Sequence, residues 1–125
     1  MICYAKIVDI DDVINEEITI SIGEFTLVCF CGYMPKAFDK NKIYLCEIDL
    51  DFFDNEILEE AKGNNVRIQR DGDGFNYTLY GYYSHGSLFL NGLYFDDEFL
   101  LDYGYLDNKF VQIKVSRINL NILSN

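Results

Sequence analysis

Over most of the chain, apolar and polar residues alternate with period 2, the repeat of a strand buried on one face. The clearest case is Ile18-Thr19-Ile20-Ser21-Ile22, which puts three isoleucines on one side and two hydroxyls on the other. Gly23-Glu24 then leads into the β-rich run Phe25 to Cys31, and a glycine-led two-residue connection predicts a hairpin. Ile2 to Val8 predicts a strand before it, with poorer alternation. Gly32 to Asn41 holds the only proline, Pro35, and reads as a loop. Ile43 to Leu50 places Tyr44, Cys46, Ile48 and Leu50 on one face and Glu47 and Asp49 on the other, a further strand.

The pattern changes once. Asp51 or Asp54 can cap a helix, Ile57, Leu58 and Ala61 supply an apolar stripe, acids crowd the first turns and Gly63 can end it. One short helix is therefore predicted around residues 54–62. Strands resume at Val66 to Arg70 and Phe75 to Tyr83, joined by the turn Asp71-Gly72-Asp73-Gly74, and at Ser87 to Leu90 and Leu93 to Phe95, joined by Asn91-Gly92. Finally Val111, Ile113 and Val115 alternate in one phase and Ile118, Leu120 and Ile122 in the other. The inward face flips around Ser116-Arg117, which predicts a bulge or sharp bend in a long final strand.

Many short strands, one small helix between the middle strands and a final strand that changes face predict a mainly β fold. It is either a single antiparallel barrel of the oligonucleotide/oligosaccharide-binding (OB-like) kind or a two-sheet sandwich. The strand candidates exceed the five that such a barrel needs. Ile18, Ile20, Ile22, Leu27, Cys29, Ile48, Val111 and Ile113 are the expected core. With 125 residues and no linker or repeat, residues 1–125 are expected to form a single domain.

Charge narrows the partners. Against 21 Asp and Glu stand 10 Lys and Arg, a formal charge of −11, which disfavours nucleic acid and anionic membranes. No apolar run approaches the ~20 residues needed to cross a bilayer, and the N-terminus lacks the basic start of a signal peptide, so a cytoplasmic location is expected. Cys3, Cys29, Cys31 and Cys46 are then reduced thiols. Cys29 and Cys31 share a strand face and Cys46 can lie nearby, a conceivable metal site. Their apolar company, Leu27-Val28-Cys29-Phe30-Cys31, argues for core packing instead.

Catalytic chemistry finds little support. The only histidine, His85, is flanked by Ser84 and Ser87 in an expected loop, with no nucleophile-elbow glycines. Asp71-Gly72-Asp73-Gly74 starts like a calcium loop, but Phe75 and Tyr82 stand where oxygen ligands would be needed. Asp49 and Asp51 form a short carboxylate pair of a kind that arises by chance, and no phosphate-cradling glycine loop is present. No cofactor and no metal are expected. Aromatics are abundant, with ten Tyr and ten Phe, and Phe75, Tyr77, Tyr80, Tyr82 and Tyr83 share one predicted strand. Single-strand-binding barrels stack bases on such rings, although the nearby cations are only Arg67 and Arg70, with Lys36, Lys40 and Lys42 further off.

The expected binding face is Tyr94 to Asp107. There Asp96, Asp97, Glu98, Asp102 and Asp107 interleave with apolar residues and with Tyr103 and Tyr105, without a single Lys or Arg. Acids can steer a basic partner, and tyrosine combines ring contact with a hydroxyl at interfaces. In bulk character the chain is similar to bacterial immunity proteins and nuclease inhibitors, which offer carboxylates and tyrosines to a basic toxin. The expectation is a non-enzymatic acidic protein-binding module of this inhibitor type, with a basic protein as partner. An OB-like barrel binding single-stranded nucleic acid or a small ligand through an aromatic face is the first alternative. An enzyme with an unrecognised site is the second.

Overall fold

The computed structural model describes residues 1–11, 13–14, 16–33, 39–53 and 56–124. Strands β1 (Ile2–Ile10), β2 (Glu17–Ile22), β3 (Phe25–Phe30) and β4 (Ile43–Asp51) come first. The middle of the chain forms β5 (Glu59–Glu60), β6 (Arg67–Arg70), β7 (Tyr77–Ser84), β8 (Ser87–Leu90), β9 (Leu93–Asp96) and β10 (Lys109–Val115), and β11 (Arg117–Ser124) follows. Ile18, Ile20 and Ile22 all point inward from β2, as their alternation requires, and Ile22 opposes Phe25 across the expected hairpin turn.

β1, β2 and β3 form an antiparallel meander, and β4 returns to lie beside β1. The resulting order 4-1-2-3 is a Greek key. β11 then fills the gap between β4 and β3, closing a barrel in the order β1-β2-β3-β11-β4. Closure removes the exposed edges that an open sheet would present. Of the two expected forms, a closed barrel is thus present, but it is mixed rather than wholly antiparallel: β11 is antiparallel to β4 and parallel to β3, meeting it at Asn119 and Phe30.

The surplus strands form a second sheet in the order β5-β10-β7-β8-β9, with β6 also paired to β7. Barrel and second sheet share one hydrophobic cluster, to which Ile7, Ile20, Ile48 and Ile118 contribute from the first and Leu79, Leu88, Val111 and Ile113 from the second. All eight residues expected in the core are buried. The phase flip at Ser116-Arg117 marks the crossing from one sheet to the other. Ser116 donates its N–H to the Asp51 carbonyl, and β11 begins opposite Asp51. Arg117 secures the junction, with Nε 2.7 Å from Asp51 Oδ2 and its guanidinium 3.9 Å from the Phe30 ring centre.

The helix expected around residues 54–62 is not formed by its described part. Asp54 lies outside the described residues, and Asp51 is the end of β4 rather than a cap. Glu59 and Glu60 pair with Gln112 and Val111 of β10, and Ala61 donates to the Phe110 carbonyl. Ile57 is exposed and Leu58 buried, and Glu59 and Glu60 both face solvent at the edge of the sheet. A helix this short gains too few hydrogen bonds to offset its nucleation cost, whereas the edge of β10 offers waiting backbone partners. Helical structure appears instead in the acidic segment, as two 3-10 turns at Glu98–Asp102 and Gly104–Leu106.

Two positions shape the second sheet. Asn91 and Gly92 both have positive φ, 39° and 97°, which gives the tight β8-β9 turn its twist. Gly81 sits where the edge of β7 passes from β6 to β8, and a Cβ there would run into the Phe89 carbonyl oxygen.

Candidate functional site

The seven residues expected to bind lie on β9 and the segment that carries the 3-10 turns, and the structure divides them by task. Asp97 caps the first turn, accepting the Phe99 N–H at 2.9 Å. Asp107 accepts the His85 N–H at 2.8 Å, and Asp96 accepts the Ser87 hydroxyl. These three acids hold local structure. Glu98 and Asp102 are exposed and, among the described residues, have no hydrogen-bond or ion-pair partner. Tyr103 is half-buried between Phe99 and Tyr105, with ring centres 5.7 and 6.1 Å away, and Phe99 stacks on Phe52 at 4.5 Å. Tyr105 and Leu101 project into solvent.

Leu100 and Leu106 plug the segment into the core. Tyr83, buried on β7, donates its hydroxyl to the Leu100 carbonyl, and burial pushes its phenol pKa up. The acidic surface is therefore pinned at several points. Asp96, Asp97 and Glu98 come together around a shallow depression of about 360 Å³ with His85, Ser87 and Leu101, whereas Asp102, Tyr103, Tyr105 and Asp107 do not line it.

His85 occupies a two-residue turn between β7 and β8 with φ of 50°, a hairpin that the sequence pattern did not bring out. Ser84 Oγ lies 2.9 Å from His85 Nδ1. Asp107 reaches the backbone N–H of His85, so the carboxylate that could orient the ring is used elsewhere. A larger groove of about 710 Å³ lies beside β5, β7 and β10. Much of its polar lining is paired internally, Gln112 with Glu59 at 2.8 Å and Thr78 with Asp71 at 2.6 Å.

The cations considered for a basic groove are dispersed. Arg70 pairs with Glu17, Lys40 with Asp9 and Lys42 with Asp39, while Lys36 lies outside the described residues. From Asp71 to Asn108, by contrast, the chain holds Asp71, Asp73, Asp96, Asp97, Glu98, Asp102 and Asp107 and no Lys or Arg. Cys29, Cys31 and Cys46 are buried, as core packing requires. Burial pushes the Cys29 thiol far up and that of Cys46 up to about 11. Among the described residues, no three or more His, Cys, Asp and Glu side chains gather as a metal site.

Sequence reasoning weighed the aromatics of one strand as a binding face but missed the row that crosses the outer face of the second sheet. Tyr77 and Tyr83 of β7 point to the core, but Tyr82 points away from it, and directly opposed residues share a face. The register sets Phe110 opposite Tyr82, Tyr82 opposite Phe89 and Phe89 opposite Tyr94. Four rings thus form one line across β10, β7, β8 and β9. Tyr82, Phe89 and Tyr94 are 42%, 44% and 47% exposed. The signal was available in the hairpin, since Leu88, Leu90, Leu93 and Phe95 in the core force Phe89 and Tyr94 outward.

The family model for "Uncharacterised conserved protein UCP019853" matches residues 1–123, and the chain belongs to that family. No curated protein and no solved structure matches it.

Proposed function

We propose that the protein is a non-enzymatic, acidic protein-binding module of the inhibitor type, and that its partner is a basic protein. The observation that carries this reading is the cation-free stretch from Asp71 to Asn108, in which Glu98 and Asp102 stand exposed, without partners among the described residues, beside the exposed Leu101 and Tyr105. Unpaired carboxylates on a pinned segment meet a positive surface without first breaking internal ion pairs. Neighbouring apolar groups supply the contact that charge alone does not.

The test is capture of partners from the source cell by the wild type and by a Glu98→Lys/Asp102→Lys variant, which leaves the Asp97 cap intact. A basic protein should be retained by the wild type and lost from the variant, and its association should slow as salt rises through the physiological range, where screening acts within ~8 Å. A partner retained equally by both would remove this surface from consideration.

A further inference from the structure

Resting on that reading, we infer that the aromatic row across the second sheet is the centre of the interface, and that it takes an arginine-bearing segment of the basic partner. The row consists of Phe110, Tyr82, Phe89 and Tyr94 on four adjacent strands, so it spans roughly 14 Å at the ordinary strand spacing. Tyr82 meets Phe110 edge-on with ring centres 5.2 Å apart, and Phe89 and Tyr94 stack at 6.3 Å. Phe110 is buried yet stands outside the hydrophobic cluster. Tyr82, Phe89 and Tyr94 therefore belong to the surface, and Phe110 backs them at one end.

Charge and ring chemistry select the occupant. Asp96 follows Tyr94 by one pleat on the same face of β9, and Glu98 lies just beyond it, so the end of the row is acidic. A phosphate backbone laid along the rings would meet those acids in a protein of charge −11. From Tyr82 to Tyr94 a guanidinium meets ring faces to stack on and, at the β9 end, carboxylates to pair with, while the cations of this face, Arg67 and Lys114, lie toward its other end. The same face already holds one such pair, because the Arg67 guanidinium lies 3.5 Å from the centre of the Tyr80 ring, one pleat from Tyr82. Arg67 occupies Tyr80 and leaves Tyr82, Phe89 and Tyr94 open to an arginine from outside. Lysine is a poorer fit, since its compact, strongly hydrated ammonium gives up more water to lie against a ring.

Two synthetic peptides test this, one alternating arginine with glycine and the other alternating lysine with glycine, titrated into the full chain while its aromatic NMR signals are followed. The wild type should prefer the arginine peptide by roughly fivefold. A Tyr82→Leu/Phe89→Leu/Tyr94→Leu variant should bind both peptides equally, whereas Glu98→Lys/Asp102→Lys should weaken both and keep the preference. The single variant Phe89→Leu, which disturbs the sheet least, should lose part of it. Equal binding of the two peptides by the wild type, binding of neither, or a preference that survives the triple variant would overturn the inference. So would tighter binding of oligodeoxythymidine than of either peptide. If the natural partner is lost on reversal of Glu98 and Asp102 but kept by the triple leucine variant, the acidic surface stands and the aromatic row does not.

Discussion

The barrel and the second sheet differ in what their outer faces carry. In the barrel, Ile7, Ile18, Ile20, Leu27, Cys29, Ile48 and Ile118 face inward and are almost wholly buried. The second sheet also buries one face, through Leu79, Leu88, Leu90, Val111 and Ile113. On the outside, the barrel leaves Ile2, Tyr4, Val8, Ile43 and Leu123 exposed, a mostly aliphatic set, whereas the second sheet aligns the exposed rings of Tyr82, Phe89 and Tyr94 on three adjacent strands. A side chain left in water contributes little burial energy, so the inward residues of both regions are explained by stability while the aligned outer rings are not.

The largest expected break in this contrast lies inside the barrel. Ile20→Ala removes a fully buried side chain and should lower unfolding stability by about 2–5 kcal/mol, read from the urea midpoint. An unchanged midpoint would mean that the inward face of β2 contributes no more than an exposed one.

The second break is chemical. The Cys46 thiol ionises at about 11 in the fold against an ordinary 9.0. Between those values the unfolded chain releases a proton that the folded chain keeps. The contribution is therefore full below about pH 9 and is lost as pH rises through about 11. Stability measured from pH 8 upward should fall, and Cys46→Ala should make that fall shallower. Burial raises the pKa of the Tyr77 and Tyr83 phenols in the same sense, so some of the alkaline loss should persist in the variant.

The smallest effect sharpens the comparison most. Phe89→Leu on the outer face should change stability by less than about 1 kcal/mol, the scale of one cross-strand pair. A loss as large as that of Ile20→Ala would return the aromatic row to the structural side of the contrast.

What could be read from the sequence follows the range of the interactions. The β2-β3 hairpin and the Asn91-Gly92 turn are local, carried by alternation and turn chemistry within a few residues, and both are found where expected. The face change at Ser116 was legible because core burial imposes a strict phase on each side of it. Residues 56–62 were misread because their preference is weak and a distant strand, β10, decides their conformation. The acidic segment was legible as a run of acids, but the structural tasks of Asp96, Asp97 and Asp107 depend on Ser87, a 3-10 turn and His85, which spacing alone does not bring together. The aromatic row depends on the register of four strands at once.

The late closure of the barrel bears on how the chain reaches this structure. Arg117 bonds Asp51 across 66 residues of sequence, so β3 and β4 are made long before the strand that belongs between them. Until β11 arrives, each has an unpaired edge, and contacts of such long sequence separation form slowly. During that interval the gap accepts any β11, including that of a neighbouring copy, and such an exchange would yield swapped dimers with the same hydrogen bonds as the monomer. The β6-β7-β8-β9 part of the second sheet, assembled from hairpins of near neighbours, can form while the barrel is still waiting for its last strand.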